Sequence, residues 1–160
     1  MTNKLLCTDN YVVDTYLEMI FKIALLRTKN KSDAEDICQE VFLRYVKNNK
    51  EFANDDHLKA WLIKVTINCS KSFFTSPWKK KILPLNEEMP YMNKEENEIY
   101  HSVLKLSLKY RTVIHLFYYE DYSIEEISKI LKEKPSTIRT QLTRARRLLK
   151  EILKGDYNDI

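Results

Sequence analysis

Apolar residues recur at helical spacing along most of this chain, and polar runs interrupt them at a few points. Residues 11–28 place Val12, Tyr16, Met19, Ile20, Ile23 and Leu26 on one side, which predicts an amphipathic helix ending at Lys29, Asn30 and Lys31. Ser32 or Asp33 is expected to cap the next helix, 33–48, with Ala34, Ile37, Cys38, Val41, Phe42 and Tyr45 facing inward. A polar loop at 49–57 holds Phe52. A third helix is predicted over 58–72, with Leu58, Trp61, Leu62, Val65 and Cys69 inward and Ile63 and Ile67 less hidden. Residues 73–97 keep no period and contain Pro77, Pro84 and Pro90. That run begins basic at Lys79, Lys80 and Lys81 and turns acidic at Glu87, Glu88, Glu95 and Glu96. It reads as a linker, giving expected limits of 8–73 for a first helical module, 74–97 for the linker and 98–155 for a second module.

In the second module the helical pattern resumes at Glu98 through Ile99, Val103, Leu104, Leu106 and Leu108 to Tyr110, and Val113, Ile114, Leu116 and Phe117 pack next. Ser123 and Glu126 form a capping box for a short helix whose apolar face is Ile124, Ile127, Ile130 and Leu131. Pro135 breaks the pattern by pushing Lys134 out of helical geometry, and Ser136 is placed to cap a further helix. There Ile138, Leu142, Ala145 and Leu149 fall inward, while Arg139, Thr140, Thr143, Arg144 and Arg147 fall outward. Gly155 is placed to end this helix before a short tail.

Net charge is only +4, so placement says more than the total. From Lys134 to Lys150 there are six basic residues and no acidic one. Two readings fit such a helix: a solvated basic face, or an element shaped for the DNA major groove, where arginine bonds guanine or phosphate and threonine offers a hydroxyl and a methyl. The capped helix and tight break before it favour the second, as in a helix-turn-helix. A single glycine excludes Gly-rich phosphate cradles and disfavours a turn-rich β fold, so the expected class is all-α, with two small helical domains joined by a flexible linker. Cys7, Cys38 and Cys69 are far apart, and His57, His101 and His115 are scattered, which argues against a metal site and fits reduced thiols in a cytoplasm. No signal-peptide pattern or membrane span is recognisable, and no cofactor is expected.

On the helix at 33–48, Asp36, Gln39, Glu40 and Leu43 make a second stripe. Favourable placement at a helix N-terminus accounts for Asp33, Glu35 and Asp36. It does not account for Leu43 amid polar residues, which is either a lone surface leucine or part of a contact stripe for a partner helix. Trp61 reads first as a core anchor.

DAEDICQEVF (33–42) followed by KAWLIKVTIN (59–68) resembles region 2 of the bacterial RNA polymerase sigma factors. LSLKYRTVIHLFYYEDYSIEEISKIL (106–131) followed by STIRTQLTRARRLLK (136–150) resembles their region 4. The spacing points to the small extracytoplasmic-function branch, and the resemblance covers roughly residues 11–72 and 98–153. It implies an alternative sigma factor that binds core RNA polymerase and directs promoter recognition, melting and initiation. By that likeness Asp36, Gln39, Glu40 and Leu43 meet the β′ clamp helices. Phe52, Ala53 and Asn54 belong to the loop that captures a flipped base at the downstream promoter element, with Lys59, Lys64 and Asn68 as strand contacts. Ser136, Thr137, Arg139, Thr140, Thr143, Arg144 and Arg147 take the upstream element, and the same region meets the β flap. An anti-sigma factor that clamps the two modules is a further implied partner.

The chain departs from the family at Lys132, where glycine is usual, at Glu133, where a hydrophobic residue is usual, and at Gln141, where a basic one is usual. Basic residues expected after the third helix are displaced to Lys79–Lys81. The expectation is a turn built differently, around Pro135. Two other classes compete: a helix-turn-helix regulator without polymerase function, which does not require the 33–43 stripe, and a two-metal nuclease using Asp33, Glu35, Asp36 and Glu40, whose carboxylates the capping and contact readings explain better.

Overall fold

A computed structural model describes residues 2–49, 51–75 and 92–158. The described residues are helical and turn structure with no strand. The chain divides into two compact units, one holding α1 (Thr2–Thr28), α2 (Lys31–Lys47) and α3 (Asp55–Thr75). The other holds α4 (Lys94–Leu104), α5 (Leu108–Ile114) with a π-helical turn at His115–Tyr119, α6 (Ile124–Leu131) and α7 (Pro135–Asn158). Pro77, Pro84, Pro90, Lys79–Lys81, Glu87 and Glu88 lie outside the described residues.

In the first unit α1 packs against both α2 and α3, so it is buried on more than one side. Val12, Tyr16, Ile20, Ile23 and Leu26 are buried as expected, and so are Phe21, Ala24 and Leu25. Arg27 is buried as well, with its Nε donating to Ser70 Oγ at 2.5 Å, and Ser70 in turn donating to the Ile67 carbonyl. A buried cation demands such partners, because desolvating it alone costs several kcal/mol (about).

Helix starts differ from those read off the apolar period. Lys29 turns the chain at φ 54°, and Asn30, rather than Ser32 or Asp33, caps α2 by accepting from the Asp33 amide at 3.0 Å. Asn54 Oδ1 accepts from the His57 amide at 2.9 Å, so α3 begins at Asp55, before Leu58. Asn93 and Glu96 form a capping box, and α4 begins at Lys94, inside the stretch read as linker. On α3, Ile63 and Ile67 are buried and Trp61 is only half-buried. The helix contacts α1 and α2 together, which widens its buried arc beyond a single stripe. Thr66 and Ser70, also buried, satisfy their hydroxyls on their own helix.

In the second unit the capping box of Ser123 and Glu126 is present, with both reciprocal bonds made. The turn after α6 is not built around Pro135. Lys132 itself adopts the left-handed conformation, φ 56° and ψ 44°, that glycine usually fills. The Glu133 amide returns to the Ser128 carbonyl at 3.1 Å, and Ser128 Oγ donates to the Glu133 carbonyl. Lys134 lies outside both helices, and Pro135 is the first residue of α7, where its missing N–H has no partner to lose. Gly155 does not end α7, which runs on to Asn158. It has no positive φ, so nothing there calls for a stop.

Candidate nucleic-acid interface

α7 divides as its period requires. Ile138, Leu142 and Ala145 are fully buried, while Ser136, Thr137, Arg139, Thr140, Thr143, Arg144 and Arg147 are all exposed. Thr140 and Thr143 donate their hydroxyls to the carbonyls of Ser136 and Arg139, leaving oxygen lone pairs available to a ligand. Arg139 lies 3.9 Å from Glu125, a pair exposed on both sides and therefore weak. Gln141, where a cation is usual, donates to Glu133 at 3.0 Å and ties the second turn of α7 to the preceding loop. Arg146 lies over the Phe117 and Tyr118 rings, so it belongs to the packing of α7 rather than to its outer row.

A buried aromatic group supports this unit. Tyr100 meets His115 and Tyr119 edge-on, and His115 stacks on Tyr119 with centroids 5.2 Å apart. Burial pushes the Tyr100 phenol well above its usual range and raises Tyr119 too. Burial also lowers the Arg111 guanidinium, which donates to the Leu106 carbonyl at 3.1 Å.

In the first unit, Asp36, Gln39 and Leu43 are exposed along α2, and Glu40 is half-buried and paired with Arg44 at 2.9 Å. Leu43 is 47% exposed, and Val46, three residues on, is 53% exposed. The apolar part of the stripe therefore has two members. Sequence reasoning missed Val46, although its spacing from Leu43 was available.

Phe52 does not project alone. It stacks on Tyr45 at 6.4 Å and meets Trp61 edge-on at 5.5 Å. Trp61 is thus part of a half-buried aromatic group at the loop rather than a core anchor. Ala53 and Asn54 are exposed beside it, with Asn54 committed to capping α3. At 100° per residue, Lys64 and Asn68 share the side of α3 that carries Trp61, whereas Lys59 falls on a different side. Those three residues do not form a single row. Cys38 and Cys69 are buried free thiols, and desolvation pushes Cys38 up to about 12, so it is inert.

Residues 12–80 match the family model for sigma-70 region 2, and residues 96–149 match the one for sigma-70 region 4. The chain belongs to the sigma-70 family of RNA polymerase sigma factors. Within it, the chain falls in the extracytoplasmic-function subfamily. It is 27% identical over 165 residues to the ECF RNA polymerase sigma factor SigW of Bacillus subtilis (strain 168), covering 89% of this chain and 87% of that one. It is 26% identical over 145 residues to the RNA polymerase sigma factor SigV of the same organism, covering 86% and 87%. Among solved structures, the sigma factor RpoE of Bartonella quintana, crystallised with the anti-sigma factor NepR, has the same fold at 21% identity, with a TM-score of 0.71 over 92% of this chain and 97% of that one. CnrH, in complex with the cytosolic domain of CnrY, gives 0.68 at 18% identity over 92% and 88%. The chain is an alternative sigma factor, and the reading as a regulator without polymerase function is not favoured. Among the described residues no helix is long and apolar enough to cross a membrane.

Proposed function

We propose that the outer face of α7 holds the upstream promoter element. Ser136, Thr137, Arg139, Thr140, Thr143, Arg144 and Arg147 form that surface. Its strongest support is an exposed row of arginines and hydroxyls, with no carboxylate from Lys134 to Lys150. Arginine in such a row bonds guanine edges or phosphate, and each good bidentate base contact discriminates by about 1–3 kcal/mol. In the same reading, the loop of Phe52, Ala53 and Asn54 engages the downstream element, with Lys59, Lys64 and Asn68 contacting the strand. Unstacking a flipped base costs a few kcal/mol. The aromatic group of Tyr45, Phe52 and Trp61 is suited to offset it, since base–aromatic stacking is worth about 1–3 kcal/mol per base.

The stripe of Asp36, Gln39, Glu40 and Leu43, extended by Val46, takes the β′ clamp helices of core polymerase. The β flap meets the second unit. A linker between α3 and α4 joins the two modules, and holding two modest sites on one chain raises their effective concentration on the promoter. The protein works in the cytoplasm, and an anti-sigma factor that covers both modules restrains it. The test separates the two surfaces. Asp36→Arg with Leu43→Ala should weaken binding to core polymerase tenfold or more (on the order of) by placing a like charge and removing an apolar contact. Arg144→Ala should leave core binding intact while abolishing promoter-dependent transcription. Unchanged core affinity in the double variant would remove the α2 assignment. An equal loss of core binding in Arg144→Ala would remove the α7 assignment.

A further inference from the structure

A cavity of about 280 Å³ lies within the second unit, between the start of α5 and the first turns of α7. Ser136, Thr137, Thr140 and Arg144 form one wall. Lys109 and Tyr110 form the other, and Gln141 completes it. Neither Lys109 nor Tyr110 stands out in the amino-acid sequence, because α5 reads there as an ordinary core helix. The lining holds two cations, several hydroxyls and no carboxylate. Lys109 Nζ sits 5.1 Å from the Tyr110 ring centroid, so the ring face orients the ammonium. Glu133, the acid bonded to Gln141, is held by that amide at 3.0 Å.

We propose that Lys109 and Tyr110, with the Ser136–Arg144 side of α7, form a clamp for one backbone phosphate of the DNA strand flanking the groove that α7 enters. This rests on the reading of α7 as the upstream-element helix. The chemistry selects phosphate over a base edge. A lysine ammonium is a compact point charge with no planar fork, suited to an oxyanion and poorly suited to reading a base. Hydroxyls of tyrosine, serine and threonine commonly complete phosphate contacts, which fix register and carry no sequence information. Lys109 is therefore a positioning residue. It sets how deeply and at what angle α7 lies in the groove, while the arginines of α7 meet the bases.

The test uses holoenzyme assembled from the full chain and core polymerase of the source cell. Two labelled duplexes serve as probes: a promoter fragment that this holoenzyme transcribes, and the same fragment with its upstream element replaced. Affinity is measured from 50 to 200 mM salt. Removing one phosphate contact on duplex DNA should flatten the log–log salt slope by about 0.9, which is a factor of about three to four less loss across that range. Lys109→Ala should show this flattening, with the same fractional loss of affinity on both duplexes at low salt, and Lys109→Arg should restore the slope. An unchanged slope in Lys109→Ala, alongside a loss of affinity in Arg147→Ala on the native duplex, would overturn the clamp and leave α7 on the DNA. An unchanged slope in Lys109→Ala with undiminished affinity in Arg147→Ala on either duplex would overturn the α7 reading and the clamp with it. A loss in Lys109→Ala confined to the native upstream element would also overturn the clamp, since it would make Lys109 a base reader.

Discussion

Lys132 carries the angle at which α7 leaves the preceding helix. It holds a left-handed conformation, φ 56°, without the freedom glycine would bring. That conformation costs a residue with a Cβ about 1–2 kcal/mol, partly offset because glycine loses more backbone entropy on folding. The neighbouring bonds overdetermine the turn: Glu133 to Ser128 twice, and Gln141 to Glu133 across it. Lys132→Gly should therefore stabilise the α6–α7 pair by about 0.5–1 kcal/mol, read as a two- to fivefold slowing (roughly) of hydrogen exchange at α6 and α7 amides. Faster exchange in the variant would mean that the lysine side chain contributes more than its backbone conformation costs. Glu133 and Gln141, which look like departures from the family when taken singly, bond to each other, so the two substitutions are one feature.

At the scale of elements, what was legible followed from how many neighbours each helix has. α7 has an inner face of Ile138, Leu142 and Ala145 and one exposed side, so its period divided it correctly. The Ser123–Glu126 box was legible because both halves of the device lie in the sequence three residues apart. The starts at Asn30 and Asn54 were not, because apolar periodicity marks the first buried residue and the capping turn precedes it. Ile63 and Ile67 were misjudged because α3 packs against two helices, and a single stripe underestimates its buried arc, whereas Trp61 was misjudged because it meets Tyr45 and Phe52 at the loop. Arg27 was hidden for a related reason: its partner Ser70 lies 43 positions away in the sequence.

The π-helical turn and its aromatic group lead to a pH prediction for the second unit. Tyr100 and Tyr119 have folded-state pKa values raised by burial, so the folded unit keeps protons that the unfolded chain releases as pH rises past about 10. Stability is fully present below that value and falls above it. The urea midpoint of the second unit should drop between pH 8 and pH 10.5, and Tyr100→Phe should remove part of that drop. A drop of the same size in the variant would show that the Tyr100 phenol does not contribute to it.

On the scale of the whole molecule, one chain carries two surfaces of different character: an acidic and apolar stripe on α2 and a basic, hydroxyl-bearing face on α7. The order in which they occur, stripe first and helix-turn-helix second, made the family legible before any coordinates, because each motif alone fits many proteins while the pair in sequence fits few. The contacts within each site were less legible, since Lys59 is close in sequence to Lys64 and Asn68 yet lies on a different side of α3 from both. Division of labour between the two surfaces is the central claim, and run-off transcription tests it most directly. Core RNA polymerase from the source cell would be combined with this protein and a pool of genomic fragments that includes its own upstream region. New start sites that require the protein, sharing two spaced sequence elements upstream, are the predicted result. Core polymerase that neither binds the protein nor gains any start site from it would contradict the account.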